Sequence, residues 1–171
     1  MAALEALGRP TWMVVPHAMH TMDAPFYAAR YPDMKVAAPD AVRARRPDLR
    51  VDASPEAALE PLGIGVHAIP GTKYAEVALD LPIEGGHALL FTDLLGRNEG
   101  HPGLLLRLLG PPGGEGVARI VKLRQISDKA QVRAFLDRMA ETPDLRVVAG
   151  CHGGMVTADC GPWLKAAAAG V

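Results

Sequence analysis

The sequence predicts an α/β fold with a mixed sheet, formed by one domain over residues 1–171. A chain of 171 residues falls within the usual size of a single domain. Apolar runs typical of strands alternate with helical segments, and a hairpin pattern lies in the middle of the chain. The 18 glycines and 15 prolines indicate short elements joined by frequent turns, which argues against a helical bundle.

The first half of the chain alternates short helices with short apolar strands. Gly8 ends the first helical segment, and Pro16 ends the apolar run that follows it. Asp23, Asp40 and Ser54 each stand where a helix N-cap is expected. The predicted helices cover residues 2–7, 24–31, 40–46 and 55–59, and the predicted strands cover residues 12–15, 35–38, 50–52 and 66–69.

The second half contains the clearest hairpin and the clearest helix. Apolar alternation over 76–81 predicts a strand, with its partner at 87–92 across a turn at 83–86. The helix begins at Asp128 and ends before Pro143, because apolar residues recur in it at i, i+3, i+4 and i+7. Its predicted core residues are Val132, Phe135, Leu136 and Met139. We also expect helices over 103–109 and 161–169 and a last strand over 145–149.

Charge and composition exclude several functions. The chain has 18 Lys and Arg residues against 19 Asp and Glu residues, so no global field attracts a nucleic acid, and we expect no such partner. Two cysteines make no disulfide framework and fit a reducing compartment. The apolar segments are far shorter than the ~20 residues of a membrane span, and no signal-peptide pattern opens the chain. We therefore expect a cytoplasmic protein without membrane contact.

Polar side chains follow three of the predicted strands. His17 and His20 come after the first strand, Asp93 after the second hairpin strand, and His152 after the last strand. Functional sites of α/β proteins collect beyond the carboxyl ends of strands. Imidazole and carboxylate ligands suit zinc, iron or manganese, so these four residues form a candidate metal site. The alternative is that the histidines only form hydrogen bonds with loops.

Four motifs, in this order, resemble those of the metallo-β-lactamase-fold hydrolases. Active members carry His-x-His-x-Asp-His after a buried strand, then Pro-Gly-His-Thr-x-Gly, an aspartate after a hairpin strand, and His-Gly after the last strand. The matching segments here are VPHAMH at 15–20, PGTKYA at 70–75, LFTDLL at 90–95 and GCHG at 150–153. The resemblance covers roughly residues 8–160. It implies a metallo-β-lactamase-like αββα sandwich with mixed sheets.

The resemblance also implies a degenerate bacterial branch of this superfamily. The family usually begins with several strands before the opening motif, whereas only a predicted helix precedes the motif here. We therefore expect a chain that is truncated at its N-terminus and lacks the N-terminal strands. A sheet left uncovered in this way invites pairing with another chain. Together with 49% hydrophobic residues and a mean hydropathy of +0.10, this favours a homo-oligomer.

One of the two metal sites of the family is expected to be lost. Its ligands in active members are three histidines, and the corresponding residues here are Val15, His17 and Thr72. Neither valine nor threonine replaces an imidazole donor well. The resemblance therefore implies that this site is empty.

The other metal site keeps three of its four ligands. Its positions correspond to Met19, His20, Asp93 and His152, with His17 nearby. Two histidines and one carboxylate with open positions suit iron, or zinc with a bound water. The soft thioether of Met19 neither ligates a hard cation nor orients an attacking water, which weakens the prediction of hydrolysis.

Four further residues are candidates for ligand contacts. Asp23 could replace the missing carboxylate, or serve only as the cap of the helix after it. Lys73 and Tyr74 lie in the second motif and could present donors to an anion. His101 lies in the loop after Asp93, where members of the superfamily approach their substrate.

Two functions stay open from the sequence alone. The first is a hydrolase relative with at most one surviving metal site, holding one zinc, iron or manganese ion and acting on a small molecule. The second is a catalytically inactive, metal-free domain of the same fold that binds a small anion or a protein.

Overall fold

A computed structural model describes residues 2–98 and 103–171 of the chain. Helices and strands alternate along these ranges, as predicted. The helices are α1 (Ala2–Glu5), α2 (Ala24–Arg30), α3 (Asp40–Arg45), α4 (Pro55–Leu59), α5 (Leu104–Leu109), α6 (Arg119–Arg124), α7 (Lys129–Met139) and α8 (Cys160–Ala169). The strands are β1 (Trp12–Val14), β2 (Lys35–Ala37), β3 (Gly65–Ala68), β4 (Val77–Ile83), β5 (Gly86–Arg97), β6 (Glu115–Gly116) and β7 (Leu145–Gly153).

The strands of the described ranges form two sheets. Strands β1 and β2 pair in parallel as a small sheet. The larger sheet contains antiparallel neighbours in the order β3-β4-β5-β6, and β7 pairs with β5 in parallel. The predicted hairpin is β4 and β5. The larger sheet is therefore mixed, as the alternating pattern of the sequence indicated.

The register between β5 and β7 is irregular at two places, and the larger irregularity lies around Asp93. Phe91 is paired with Gly150, and Gly96 is paired with His152, so four residues of β5 lie opposite a single residue of β7. Such an irregularity bends a strand locally and redirects its side chains. Asp93 lies inside this bulge, which directs it towards His152.

Three apolar clusters among the described residues hold the sheets to their helices, and two of them are the larger. The largest one joins the main sheet to α7 and α8, and its fully buried members include Leu89, Phe135, Leu136 and Leu164. Burying each such side chain contributes about 1.5–3 kcal/mol. The second cluster packs α2 and α3 beside the small sheet and includes Val15, two residues before His17. All four predicted core residues of α7 are buried.

Two local predictions were wrong, and one helix was missed. Residues 50–52 form no strand; the Asp52 carboxylate instead accepts a hydrogen bond from the Val36 amide at 2.8 Å. Pro39, and not Asp40, occupies the N-cap of α3, because helical geometry begins at Asp40 itself. Helix α6 was not predicted, since its six residues are too few for a clear apolar period.

Among the described residues, no helix combines the length and the apolar character needed to cross a membrane.

Candidate metal centre

The first two histidines lie in a turn that follows β1. The His20 amide donates to the His17 carbonyl at 3.1 Å and closes the turn. The Ala18 amide donates to the Tyr74 carbonyl at 3.2 Å, which ties the turn to the second motif segment. Backbone hydrogen bonds thus fix both imidazoles relative to the larger sheet.

Asp93 is the centre of the polar cluster. Its Oδ1 lies 2.6 Å from His20 Nε2 and 3.0 Å from His152 Nε2. Its Oδ2 accepts a hydrogen bond from Gln125 Nε2 at 2.9 Å and lies 3.5 Å from His17 Nδ1. The structure thus places the other three predicted metal-site residues, His17, His20 and His152, around the Asp93 carboxylate.

The aromatic rings pack edge to face around this carboxylate. The ring centroids of His17 and His20 are 5.6 Å apart, and those of His20 and His152 are also 5.6 Å apart. Tyr74 packs edge to face against His17 with centroids 5.7 Å apart. Edge packing fixes the ring orientations and leaves the ring nitrogens able to face the same space.

His17 is the most constrained of the histidines. Its side chain is fully buried, and neither ring nitrogen has a hydrogen-bond partner in the described part of the chain. Burial lowers the pKa of His17, although the charge of Asp93 opposes this effect. An unpaired polar atom in the interior is costly and calls for a missing partner. A neutral imidazole with free nitrogens has the form in which histidine binds metals.

The pKa of Asp93 lies below its ordinary value. Burial by itself raises this pKa, but the Gln125 hydrogen bond, the charge of His20 and the His152 hydrogen bond together outweigh burial. Asp93 is therefore an anion at neutral pH. An anionic carboxylate beside neutral imidazole is the donor set of many zinc sites.

One atom from each of His17, His20 and Asp93 lies within 4.8 Å of the others, so these three residues could hold a metal ion. His152 contacts Asp93 Oδ1 from a more exposed position, with 63% of its side chain accessible. His17 is a member of this group, although the resemblance to the family assigns it to the other metal site.

Two polar residues near the site, Glu76 and Gln125, were not predicted. The Glu76 Oε1 atom accepts hydrogen bonds from the Thr92 hydroxyl at 2.7 Å and the Leu94 amide at 3.0 Å. These bonds fix the residues on both sides of Asp93. Gln125, which follows α6, fixes the Asp93 carboxylate itself. For Glu76, the sequence signal was an acidic residue directly before the apolar alternation of β4. For Gln125, no sequence pattern indicated a role at the site.

Two cavities flank the cluster. One, of about 420 Å³, is lined by Met19, His20 and Asp23 together with residues of β1 and α2. The other, of about 370 Å³, has Asp93, Gln125 and His152 in its wall. The cluster is therefore accessible to small molecules from two sides.

The remaining candidate residues have different positions. Asp23 stands at the N-cap of α2, as predicted. Its side chain forms no capping hydrogen bond, so it does not stabilise the helix in the expected way. Thr72 donates its hydroxyl to the Ile69 carbonyl at 2.9 Å. Lys73 is exposed, and its amide donates to the Gln125 carbonyl. Tyr74 contacts His17. His101 lies outside the described residues.

The fold and the cluster together define an α/β protein with a candidate metal centre at the edge of a mixed sheet. No protein-family model matches the chain, and no curated protein matches it. Solved structures do match. The mono-zinc form of the metallo-β-lactamase FIM-1 from Pseudomonas aeruginosa superposes with a TM-score of 0.58 at 15% identity, covering 92% of this chain and 66% of that chain.

Two further structures show the same similarity. VMB-1 superposes with a TM-score of 0.62 at 15% identity, covering 98% of this chain and 72% of that chain. A metallo-β-lactamase from Erythrobacter litoralis superposes with a TM-score of 0.59 at 15% identity, covering 94% of this chain and 68% of that chain. The chain thus has the metallo-β-lactamase fold, which confirms the predicted fold class. It spans about two thirds of the length of these proteins.

Proposed function

We propose that this protein binds one divalent metal ion at His17, His20 and Asp93, with His152 beside them, and hydrolyses a small molecule there. Zinc is the proposed ion, because the ligands are imidazole and carboxylate and a similar fold holds zinc in its mono-zinc form. The observation that carries the proposal is the buried imidazole of His17, whose two ring nitrogens lack partners beside an anionic carboxylate.

The metal, when bound, would lower the pKa of a coordinated water to about 7 and so supply hydroxide at neutral pH. The residues of the chain orient and tune the ligands. Gln125 holds Oδ2 of Asp93, and Glu76 holds the backbone on both sides of it. Such partners of metal ligands commonly raise metal affinity by fixing ligand orientation.

A single metal site is expected. At the positions that bind the other metal of the family, Val15 carries no donor and the Thr72 hydroxyl is already bonded to the Ile69 carbonyl. Met19 supplies a thioether that is 43% exposed, where active relatives have a ligating aspartate. The proposed activity therefore depends on Asp93 as the carboxylate ligand.

Metal content is the first test. Protein purified without chelator from zinc-supplemented medium is expected to contain about one equivalent of metal by elemental analysis. Asp93→Asn keeps the shape of the side chain and removes its charge, so its metal content should fall below about 0.1 equivalent. His17→Ala should show the same loss, with folding verified by circular dichroism.

A matched control uses a histidine outside the cluster. His67 lies on β3, 4.0 Å from Asp80, so His67→Ala should keep the metal content of the unaltered protein. Metal below about 0.1 equivalent in the unaltered protein would overturn the proposal. It would favour the alternative of a metal-free binding domain, in which hydrogen bonds from Gln125 and the histidines stabilise the Asp93 carboxylate.

A further inference from the structure

We propose that the cavity of about 420 Å³ beside β1 and α2 binds one Cu(I) ion through the thioether sulfurs of Met13, Met19 and Met22. All three methionines line this cavity, which we call the methionine cavity. The proposed copper site is distinct from the metal centre around Asp93. It goes beyond the proposed function, because it requires neither a bound zinc ion nor hydrolysis.

The three methionines come from separate positions in the chain that meet at the methionine cavity. Met13 lies on β1, Met19 lies in the turn after β1, and Met22 lies two residues before α2. Met13 also packs against the apolar cluster that contains Val15, which holds its side chain at the cavity wall. Because an unbranched methionine side chain has three rotatable bonds, three such side chains around one cavity can bring their sulfurs to a single ion.

Burial in the core does not account for two of these methionines. Met19 is 43% exposed and Met22 is 87% exposed, whereas Met34 and Met139 are buried, as core methionines usually are. Exposed apolar side chains that gather around one cavity mark a binding site. The thioethers of the methionine cavity are therefore available to a ligand from solution.

The chemistry of the cavity wall selects a soft cation. Thioether sulfur is a soft, neutral ligand that selects Cu(I), whereas zinc takes imidazole nitrogen, thiolate sulfur and carboxylate oxygen. The described residues that line the cavity include neither lysine nor arginine, and Asp23 contributes a carboxylate that makes no capping hydrogen bond. Tyr27 adds an aromatic ring, whose face attracts cations. The wall therefore favours a cation, and its sulfur ligands favour Cu(I) among cations.

The copper site and the metal centre use different ligands. His20 also lines the methionine cavity, but its Nε2 atom lies 2.6 Å from Oδ1 of Asp93, so it belongs to the metal centre. The copper site therefore uses sulfur ligands alone, and each site takes its own ion. Zinc-loaded and zinc-free protein should both bind Cu(I) at the methionines, and the methionines should not change the zinc content.

Ag(I) is a suitable probe, because it binds the same soft ligands as Cu(I) and is not oxidised in air. The exposed thiol of Cys151 would also bind Ag(I), so the experiment uses the Cys151→Ser variant, freed of zinc with a chelator that is then removed.

Titration of Ag(I) is followed by NMR of isotope-labelled methionine methyl groups. The signals of Met13, Met19 and Met22 should shift together and saturate. The signal of Met155, which is 61% exposed at a position outside the cavity, should not shift. Cu(I), kept reduced with ascorbate in the absence of oxygen, should shift the same three signals. An equal shift of Met155, or no saturable shift of the three, would overturn the inference.

Leucine substitutions locate the ligands, because leucine keeps the approximate volume of methionine and removes its sulfur. Met19→Leu and Met22→Leu should each weaken Ag(I) binding by about tenfold or more, as measured from the remaining methyl signals. Met155→Leu is the matched control and should leave the affinity unchanged. Met22 and Met155 are both exposed, so neither substitution should disturb folding. Equal Ag(I) affinity in Met22→Leu and Met155→Leu would overturn the three-sulfur site.

Failure of the copper site and failure of the proposed function give different results. Asp93→Asn should lose its zinc and keep the response of the methionine signals to Ag(I). Met22→Leu should keep its zinc, because Met22 contributes no ligand to the metal centre. Zinc binding without a methionine response to Ag(I) would refute only the copper site. A methionine response without zinc binding would refute only the metal-dependent hydrolase.

Discussion

Glu76 is the buried carboxyl group that holds the backbone around Asp93. Burial raises the pKa of Glu76; the hydrogen bonds from Thr92 and Leu94 lower it, and the charge of Asp93 raises it further. The net result is a pKa above the ordinary value. Folding therefore takes up a proton on Glu76, and its ionisation at higher pH opposes the folded state.

Glu76→Gln tests this linkage in metal-free protein. Because the folded pKa is raised, the stability that neutral Glu76 provides is complete below its ordinary pKa of 4.5 and is lost as the pH rises through the folded value. Glutamine at position 76 cannot ionise. The free energy of unfolding of the variant should therefore increase relative to that of the unaltered protein as the pH rises through this range. Each tenfold change in proton affinity contributes about 1.4 kcal/mol.

Urea unfolding at a series of pH values from acid to neutral measures this difference. Asp93 and Cys151 are the other titratable groups that interact with Glu76, and both are retained in the variant. A difference in stability that does not change with pH would contradict the raised pKa of Glu76.

Gln125 acts on the metal site through Asp93. Its amide hydrogen bond helps to keep the pKa of Asp93 low, so its removal should raise that pKa and let protons compete with the metal at higher pH. Gln125→Leu should weaken zinc binding by about 10- to 100-fold. It should also move the pH midpoint of zinc binding upwards, an effect that a purely structural role would not produce.

Gln131→Leu is the matched control, because its side chain is exposed and donates a hydrogen bond to Asp128 at the start of α7. Isothermal titration of both variants with zinc over a range of pH provides the comparison. If Gln125→Leu and Gln131→Leu bind zinc equally well, Gln125 does not position Asp93.

At the scale of elements, the site depends on the close approach of β5 and β7. A Cβ atom at Gly150 would overlap the Leu95 carbonyl oxygen, and one at Gly153 would overlap the Arg97 carbonyl oxygen. Gly153 also has a φ of +109°, a conformation that other residues rarely adopt. Both glycines are thus needed for the bulge that directs Asp93 towards His152.

Gly150→Ala should therefore force β5 and β7 apart. Overpacking of this kind costs about 1–3 kcal/mol, and we expect the loss of stability to be accompanied by weaker zinc binding. Gly103→Ala is the matched control, since nothing lies within 4 Å of a Cβ there and no positive φ is involved. Thermal unfolding and zinc titration measure both effects; equal behaviour of the two variants would contradict the role of the close approach.

Sequence periodicity was sufficient to predict the helices and strands that bury a single apolar face. Helix α7 has its predicted N-cap, since the Asp128 side chain accepts from the Gln131 amide, and the β4–β5 hairpin lies where the alternation indicated. The bulge at Asp93 could not be predicted, because it arises from contact with a strand more than fifty residues away. Asp93 and His152 were expected after their strands but lie within β5 and β7.

The polar cluster was predictable only in part for the same reason. His17, His20, Asp93 and His152 could be selected because they lie near strand ends and match four ordered motifs. Gln125 and Glu76 reach the site through tertiary packing, which no local pattern records. The homo-oligomer and the cytoplasmic location stay predictions.

In the molecule as a whole, the larger sheet and α7 share one apolar core, which includes residues of the strand that carries Asp93. Phe135 is fully buried in that core. Phe135→Ala should reduce the free energy of unfolding by about 3–5 kcal/mol. Leu123→Ala, at a position that is 77% exposed, should change it by less than about 0.5 kcal/mol. Urea unfolding measures both; a small effect of Phe135→Ala would contradict this account of the core.

One metal ion is proposed to bind where the loop after β1 meets the β5 bulge. Crystals of the protein soaked in zinc, with diffraction data collected on both sides of the zinc absorption edge, test it directly. We predict one strong anomalous peak about 2.0–2.2 Å from imidazole nitrogens of His17 and His20 and a carboxylate oxygen of Asp93. No peak at this cluster, or a peak only at the separate His67, Asp80 and His87 group, would contradict the claim.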